Sequence, residues 1–288
     1  MMESMRAPLS IVSAVATSLF LAVPVLAACS GGSLAGSSSG SSTVPASGVE
    51  SLGVEIVATH PFDDTSFVEG LEVEPDGQHL LVSTGWEGEG RIYRSTIDGV
   101  ESDSQAIDPT FFGEGITRTS DHVWQVTWKD GVAMKRDAAT LEEIGRVNYQ
   151  GQGWGMCHFD DRMVMSDGTN QLRVLDPDSF QERSRIDVTK AGAPISQINE
   201  LDCVPAAESS SGKDEIYANV FTTTSILRID AATGTVTGVI DASTVPNNAA
   251  VDPENVLNGI AHIPGTDRFF ITGKRWPDLY EVRFVPAG

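Results

Sequence analysis

From residue 54 onward the apolar positions come in short bursts, never at a sustained helical spacing. Five bursts read HLLVSTG, HVWQVTW, RMVMSDG, EIYANVF and RFFITGK. A short turn leads from each to a second burst: RIYRSTI, GVAMKRD, QLRVLDP, SILRIDA and DLYEVRF. More polar segments follow four of these: VESDSQAI, EEIGRVNY, QERSRIDV and GTVTGVID. The runs are short, β-branched or aromatic, and bounded by Gly, Asp and Pro, which are strand and hairpin signals. Ahead of each set stands a brief unit, x-Gly-apolar: Glu69-Gly70-Leu71, Glu114-Gly115-Ile116, Trp154-Gly155-Met156 and Asn258-Gly259-Ile260. In the remaining slot, Asn199-Glu200-Leu201, a Glu replaces the Gly.

The first positions of these units are 45, 40, 45 and 59 residues apart. Five repeats of four strands predict an all-β chain, a five-bladed β-propeller with four antiparallel strands per blade. The fifth repeat lacks its fourth strand, and the orphan run VEIVATH (54–60) is expected to supply it and close the ring. A β-sandwich, the competing class, offers no reason for a fivefold period. In a propeller the first strand of each blade lines the central channel. The x residues Glu69, Glu114, Trp154, Asn199 and Asn258 should then meet at one mouth, with the glycines allowing close backbone approach. Different chemistry at equivalent positions of a constant scaffold points to a site. A polar, water-filled channel is the plainer alternative.

Residues 7–28 carry no charge and end in LAVPVLAAC, so residues 1–28 read as an export signal. Leu26-Ala27-Ala28-Cys29 resembles the lipobox of bacterial lipoproteins. Cys29 is the expected lipidation site, which would tether the protein to the outer face of the cell membrane. An uncleaved membrane anchor is the other reading of this run. Residues 29–50 form a Gly/Ser tether, leaving 51–288 as the propeller domain. Cys157 and Cys203 lack metal-site spacing; they could pair in an exported protein, but two buried free thiols are the favoured expectation. Against 19 basic residues stand 40 acidic ones, a net charge of -21. That balance disfavours nucleic acid as a partner.

The words FGEG, VTWK, GWG, MSDGT, LDP, INELD, IYANV, RIDAATG, VLNGIA and TGKRWPDLYEV, in this order, resemble the glutamine cyclotransferase family. Its members are the plant-type and bacterial glutaminyl-peptide cyclotransferases, and the resemblance runs through nearly all of 55–284. It implies a five-bladed propeller that converts the N-terminal glutamine of a peptide to pyroglutamate and releases ammonia, without a metal or other cofactor. The partners expected are peptides or proteins with N-terminal Gln, and the enzyme is expected to be a monomer. By the same resemblance Glu114 is the catalytic carboxylate, with Asn199 and Lys274 stabilising developing charge. Phe67, Glu69, Trp128, Trp154, Phe221 and Asn258 form the substrate site. The chain departs from the plant pattern at Glu69, where an amide is usual, and at Phe221, where a tryptophan is usual.

The chemistry suits these residues. The α-amine must lose a proton, the side-chain carboxamide must gain one to leave as ammonia, and one carboxylate made basic by burial can serve both transfers. Plainer roles fall to other residues. Trp124 and Trp276 read as packing, Trp86 as rim, and Asp167 as a turn former. Asp98, Asp176 and Asp230 read as hairpin residues, and His158 and His262 as wall residues. No HExxH, CxxC, EF-hand loop or GxSxG elbow is present. Two rivals remain: a calcium-dependent lactonase-like propeller holding a cation on Glu69, Asn199 and Asn258, and a surface propeller that binds without turnover.

Overall fold

The computed structural model describes residues 48–288, in which every regular element is a strand. The signal segment, Cys29 and most of the tether lie outside the described residues. The chain opens with β1 (Glu50–Pro61), longer than the apolar run 54–60 that announced it. A four-stranded sheet follows, of β2 (Val68–Val73), β3 (His79–Thr84), β4 (Arg91–Thr96) and β5 (Glu101–Ala106). A second comprises β6 (Gly113–Arg118), β7 (His122–Thr127), β8 (Val132–Asp137) and β9 (Glu143–Asn148). A third comprises β10 (Met156–Phe159), β11 (Arg162–Met165), β12 (Gln171–Leu175) and β13 (Glu182–Asp187). A small hairpin, β14 (Thr189–Lys190) and β15 (Ala193–Pro194), leads to β16 (Ile198–Val204), β17 (Glu215–Val220), β18 (Ser225–Asp230) and β19 (Val236–Asp241). Last come β20 (Leu257–His262), β21 (Arg268–Gly273) and β22 (Asp278–Pro286).

Within each group the strands follow chain order and pair antiparallel, so the fold is propeller-like. β1 joins the last two groups into one eight-stranded sheet, pairing antiparallel with β22 and parallel with β19. The first strands lie side by side in cyclic order: β2 against β6, β6 against β10, β10 against β16, β16 against β20, and β20 against β2. Second strands are buried almost throughout, third strands mix buried and half-buried positions, and β5, β9 and β13 alternate or face water. Apolar clusters fill the space between adjacent groups, for example Val68, Leu71, Leu80 and Val82 against Ala261, Phe270 and Leu279.

Four of the five first strands slip register at the repeated unit: at Val68/Gly70, Gly113/Ile116, Ile198/Leu201 and Leu257/Ile260. A bulge of this kind turns one side chain out of the sheet's alternation. The glycine lets the next strand close in: a Cβ on Gly115 would collide with the carbonyl oxygen of Trp154, and one on Gly155 with that of Asn199. Glu200 replaces a glycine because its carboxylate is used. Its two oxygens accept the backbone N–H groups of Leu71 (3.2 Å) and Ile260 (2.9 Å), tying β16 to β2 and β20. Glu72 accepts from the Thr117 hydroxyl (2.9 Å) and the Arg118 N–H (3.2 Å). Asp202 accepts from the His262 N–H (2.9 Å). Buried carboxylates thus satisfy first-strand N–H groups that no ladder reaches.

The expectation of two free thiols is corrected: Cys157 and Cys203 form a disulfide. They sit on the neighbouring strands β10 and β16, with Cα atoms 5.3 Å apart, inside the span a disulfide bridges. Sequence separation hides this neighbourhood, since the two residues are 46 positions apart. Trp124 and Trp276 are core residues, as expected. Asp176 and Asp230 each accept backbone N–H groups two and three residues on, the Asx turns expected of hairpin residues.

Burial pushes the Glu72 carboxyl up to about 8, with the charges of Asp202 and Glu74 adding to it against the Thr117 and Arg118 hydrogen bonds. Burial likewise raises Asp202 to about 6. A carboxyl raised above its ordinary 4.5 contributes stability fully present below that value, lost as pH rises through about 8. Urea unfolding should therefore show a fall in stability between pH 5 and pH 8.5. Glu72 keeps 16% exposure, so its share is on the order of 1–2 kcal/mol. Glu72→Gln should flatten the fall by that amount; an identical fall in both proteins would refute this origin.

Candidate active site

First strands begin, and second strands end, at the same end of the sheets, because the two run antiparallel. The bulged residues Glu69, Glu114 and Asn199 meet there with side chains from the loops after the second strands: Trp86, Trp128, Phe221 and Lys274. Phe67, Phe112 and Trp154 arrive just ahead of their first strands. Together with Glu254 these residues line a cavity of about 150 Å3. The walls are mainly aromatic. Phe67 meets Phe112 edge-on at 6.1 Å, Phe112 meets Trp128 at 5.6 Å, and Trp154 meets Phe221 at 5.5 Å.

The polar floor is a chain of contacts. The Lys274 ammonium lies 2.8 Å from Glu69 Oε1. The other oxygen, Glu69 Oε2, accepts from Asn258 Nδ2 at 3.0 Å. Asn258 Nδ2 also donates to the Val68 carbonyl (2.9 Å), so its Oδ1 is left to accept from Asn199 Nδ2 (2.9 Å). That fixes both amide orientations and commits one of the two N–H bonds on Asn199. Lys274 is further held over the rings of Phe67 (4.6 Å) and Phe221 (5.1 Å). Phe221, the departure from tryptophan, keeps an aromatic face for this cation.

Glu114 is placed differently. It is buried, and its Oε2 has no hydrogen-bond partner among the described residues. Burial, then the nearby charge of Glu69, raise its carboxyl well above the ordinary range, with Lys274 opposing. Burial raises Glu69 as well, to about 7, where the Lys274 charge and hydrogen bond hold it down. The two carboxylates of the repeated phrase are therefore unequal. One is the counterion of a buried ammonium; the other is a strongly basic group with a vacant oxygen.

Of the residues singled out from sequence, Phe67, Glu69, Glu114, Trp128, Trp154, Asn199, Phe221 and Lys274 converge on the cavity. Asn258 does not line it; fully buried, it stands behind the wall and orients Glu69 and Asn199. Lys274 does not present a free charge, because Glu69 takes it. Sequence reading missed Phe112, Glu254 and Gln152. Phe112 precedes the FGEG bulge as Phe67 precedes the first, a parallel that could have found it. Gln152 carried no signal, yet its Oε1 accepts both the Trp128 and the Trp154 indole N–H, each at 2.9 Å. Among the described residues, no three His, Cys, Asp or Glu side chains are grouped so as to hold a metal ion.

Residues 25–284 match the family model described as glutamine cyclotransferase. The chain is 28% identical over 239 residues to the glutaminyl-peptide cyclotransferase of Arabidopsis thaliana, covering 81% of this chain and 72% of that protein. The crystal structure of Myxococcus xanthus glutaminyl cyclase superposes with a TM-score of 0.75 at 32% identity, covering 83% of this chain and all of that one.

One acceptor fixes two indoles on opposite sides of the Trp128–Trp154 loop region. Gln152→Leu should cost about 1 kcal/mol in urea unfolding, since two N–H donors lose a partner in a half-buried place. It should also shift tryptophan emission. Gln152→Glu, which keeps the acceptor, should behave like the parent; equal losses in both variants would mean the side chain serves only as packing.

Proposed function

Because the chain belongs to the glutamine cyclotransferase family, we propose that its cavity cyclises the N-terminal glutamine of peptides to pyroglutamate and releases ammonia. The observation that carries the residue roles is the uncommitted, buried Oε2 of Glu114. The glutamine side chain enters between the Trp128 and Trp154 walls. Its α-ammonium gives a proton to Glu114, and the neutral amine attacks the side-chain amide carbon. The same Glu114 then returns that proton to the leaving nitrogen and is regenerated as the carboxylate, while the attacking nitrogen gives up its second proton to the departing ammonia or to solvent, so the net products are the lactam and ammonium.

The raised basicity of Glu114 decides whether this works. An α-ammonium has a pKa of about 7.7–8, so a carboxylate at the ordinary value of 4.5 would be about 3 units too weak, near 4 kcal/mol uphill. Burial, with the charge of Glu69 beside it, raises Glu114 and so narrows that gap. The oxyanion of the tetrahedral intermediate takes the second amide N–H of Asn199. Lys274 acts from behind Glu69, setting the potential felt by Glu114. A cation-binding reading of Glu69, Asn199 and Asn258 is disfavoured, because their polar atoms are spent on one another and on the Lys274 ammonium.

We also read the five strand groups as five blades of a closed propeller, with β1 as the outermost strand of the last. The cyclic contacts of the first strands and the β1–β22 pairing support it. Cys29 is read as the lipidated residue of an exported, membrane-tethered monomer. Mass spectrometry of the native N-terminus should show an acyl mass on Cys29 that Cys29→Ala lacks; an unmodified, uncleaved N-terminus would contradict the tether.

An ammonia-release assay on a Gln-initiated dipeptide amide, with EDTA present, tests the activity. Glu114→Gln should lower kcat by about 100-fold or more. Glu69→Gln deletes the charge that raises Glu114 and leaves Lys274 facing it. The acid limb of its pH–rate profile should therefore move to lower pH, with a smaller loss of kcat. Near-parental activity in Glu114→Gln would overturn the assignment, and a dead Glu69→Gln with an active Glu114→Gln would reverse it.

A further inference from the structure

Thirteen arginines lie among the described residues, and twelve of their side chains reach a protein acceptor. The exception is Arg275. Its backbone N–H bonds the Ser66 carbonyl, but its guanidinium has no hydrogen bond or ion pair within the described protein. In a chain with 40 acidic residues against 19 basic ones, an arginine without a carboxylate is an exception that calls for a cause.

Its position supplies one. The guanidinium lies 4.9 Å from the centre of Phe67 and 4.7 Å from that of Trp86, both residues of the cavity wall. Phe67 and Trp86 are 5.0 Å apart and tilted to each other, so the three form one cluster beside the cavity. Phe67 is buried, while Trp86 is one of the few large apolar side chains left exposed. Both Arg275 (φ 56) and Trp86 (φ 83) hold left-handed backbone conformations, which cost a side-chain-bearing residue on the order of 1 kcal/mol each. Two strained residues thus cooperate to present a planar cation, braced on aromatic faces, beside the site. Contact with the two rings positions the guanidinium, and its N–H groups have no acceptor among the described residues.

We propose that Arg275, braced by Trp86, is a specificity residue that binds the side-chain carboxylate of the residue following the N-terminal glutamine, so that Gln-Glu and Gln-Asp peptides are preferred. The inference rests on the cyclisation reading of the cavity. With the glutamine in the cavity, the next residue emerges at this mouth. The protein's overall negative charge does not oppose the contact at range, since screening at physiological salt is effective beyond about 8 Å. Glu254, exposed on the same cavity rim, is the local carboxylate that works against it and limits the size of the preference.

The test compares kcat/KM for three amidated peptides, Gln-Glu-Ala, Gln-Gln-Ala and Gln-Lys-Ala, in the parent, Arg275→Gln, Arg275→Lys and Arg275→Glu. The parent should favour Gln-Glu-Ala over its neutral isostere by about 5-fold, the scale of a partly exposed ion pair. In Arg275→Gln that ratio should fall to about one, in Arg275→Lys it should be intermediate, and in Arg275→Glu the lysine peptide should lead. Melting temperatures establish that each variant is folded. A parent with no preference, or one whose ratio survives in Arg275→Gln, overturns the proposal, as does a variant that slows all three peptides equally. Failure of the parent to release ammonia from any peptide would instead overturn the cyclisation reading.

Discussion

The register slip at the start of the first strands is the constraint on which this architecture turns. The first strands lie against one another in turn, and each presents an edge of backbone N–H and C=O groups that no further strand pairs. The bulge answers this twice. On β2, β6 and β16 it brings Glu69, Glu114 and Asn199 to the cavity, and on β2 and β6 its glycine lets the next backbone pass within contact distance. Further along the strands the same need is met by carboxylates, with Glu72, Glu200 and Asp202 each capping N–H groups of other first strands. The chemistry at the mouth is thus a by-product of how the strands are made to fit.

That origin explains why two carboxylates in near-identical phrases behave so differently. Glu69 and Glu114 are delivered by the same bulge on adjacent strands. Only Glu69 lies within reach of Lys274, which follows β21, and of Asn258, which stands behind the wall. The ammonium is buried and cannot be left unpaired without a cost of several kcal/mol. Because Glu69 takes the ion pair, Glu114 feels the Lys274 charge only as a weaker influence than burial and the charge of Glu69. Scaffold equivalence and functional inequality come from the same geometry.

Much of this was legible in the chain. The strand bursts, their grouping in fours, the orphan first strand and the convergence of the x residues all follow from periodicity, because a period of two and a repeat of forty-odd residues leave marks in one dimension. Glu114 and Trp128 were reachable through the words FGEG and VTWK. Contacts between distant segments left no such mark. The Cys157–Cys203 bridge, the withdrawal of Asn258 behind the wall and the capture of Lys274 by Glu69 depend on which strand groups are neighbours and how far a side chain reaches. Gln152 was invisible for the same reason: its importance lies in one oxygen shared by two indoles. Glu200 was noticed only as an irregularity, a Glu where Gly stood. It is explained by the two backbone groups it holds.

The pairing of β1 has a consequence for how the chain can be cut. Leu52 stands opposite Pro286 in the ladder, so the two ends of the folded domain are neighbours within one sheet. A domain whose ends meet has no privileged starting point. A few linking residues from Gly288 to Glu50 would make the covalent chain circular, and a new opening in any exposed hairpin turn would give a permuted order of the same strand groups. The strands would keep the same neighbours in either order, so the pairing of the sheets does not depend on the order in which the chain visits them.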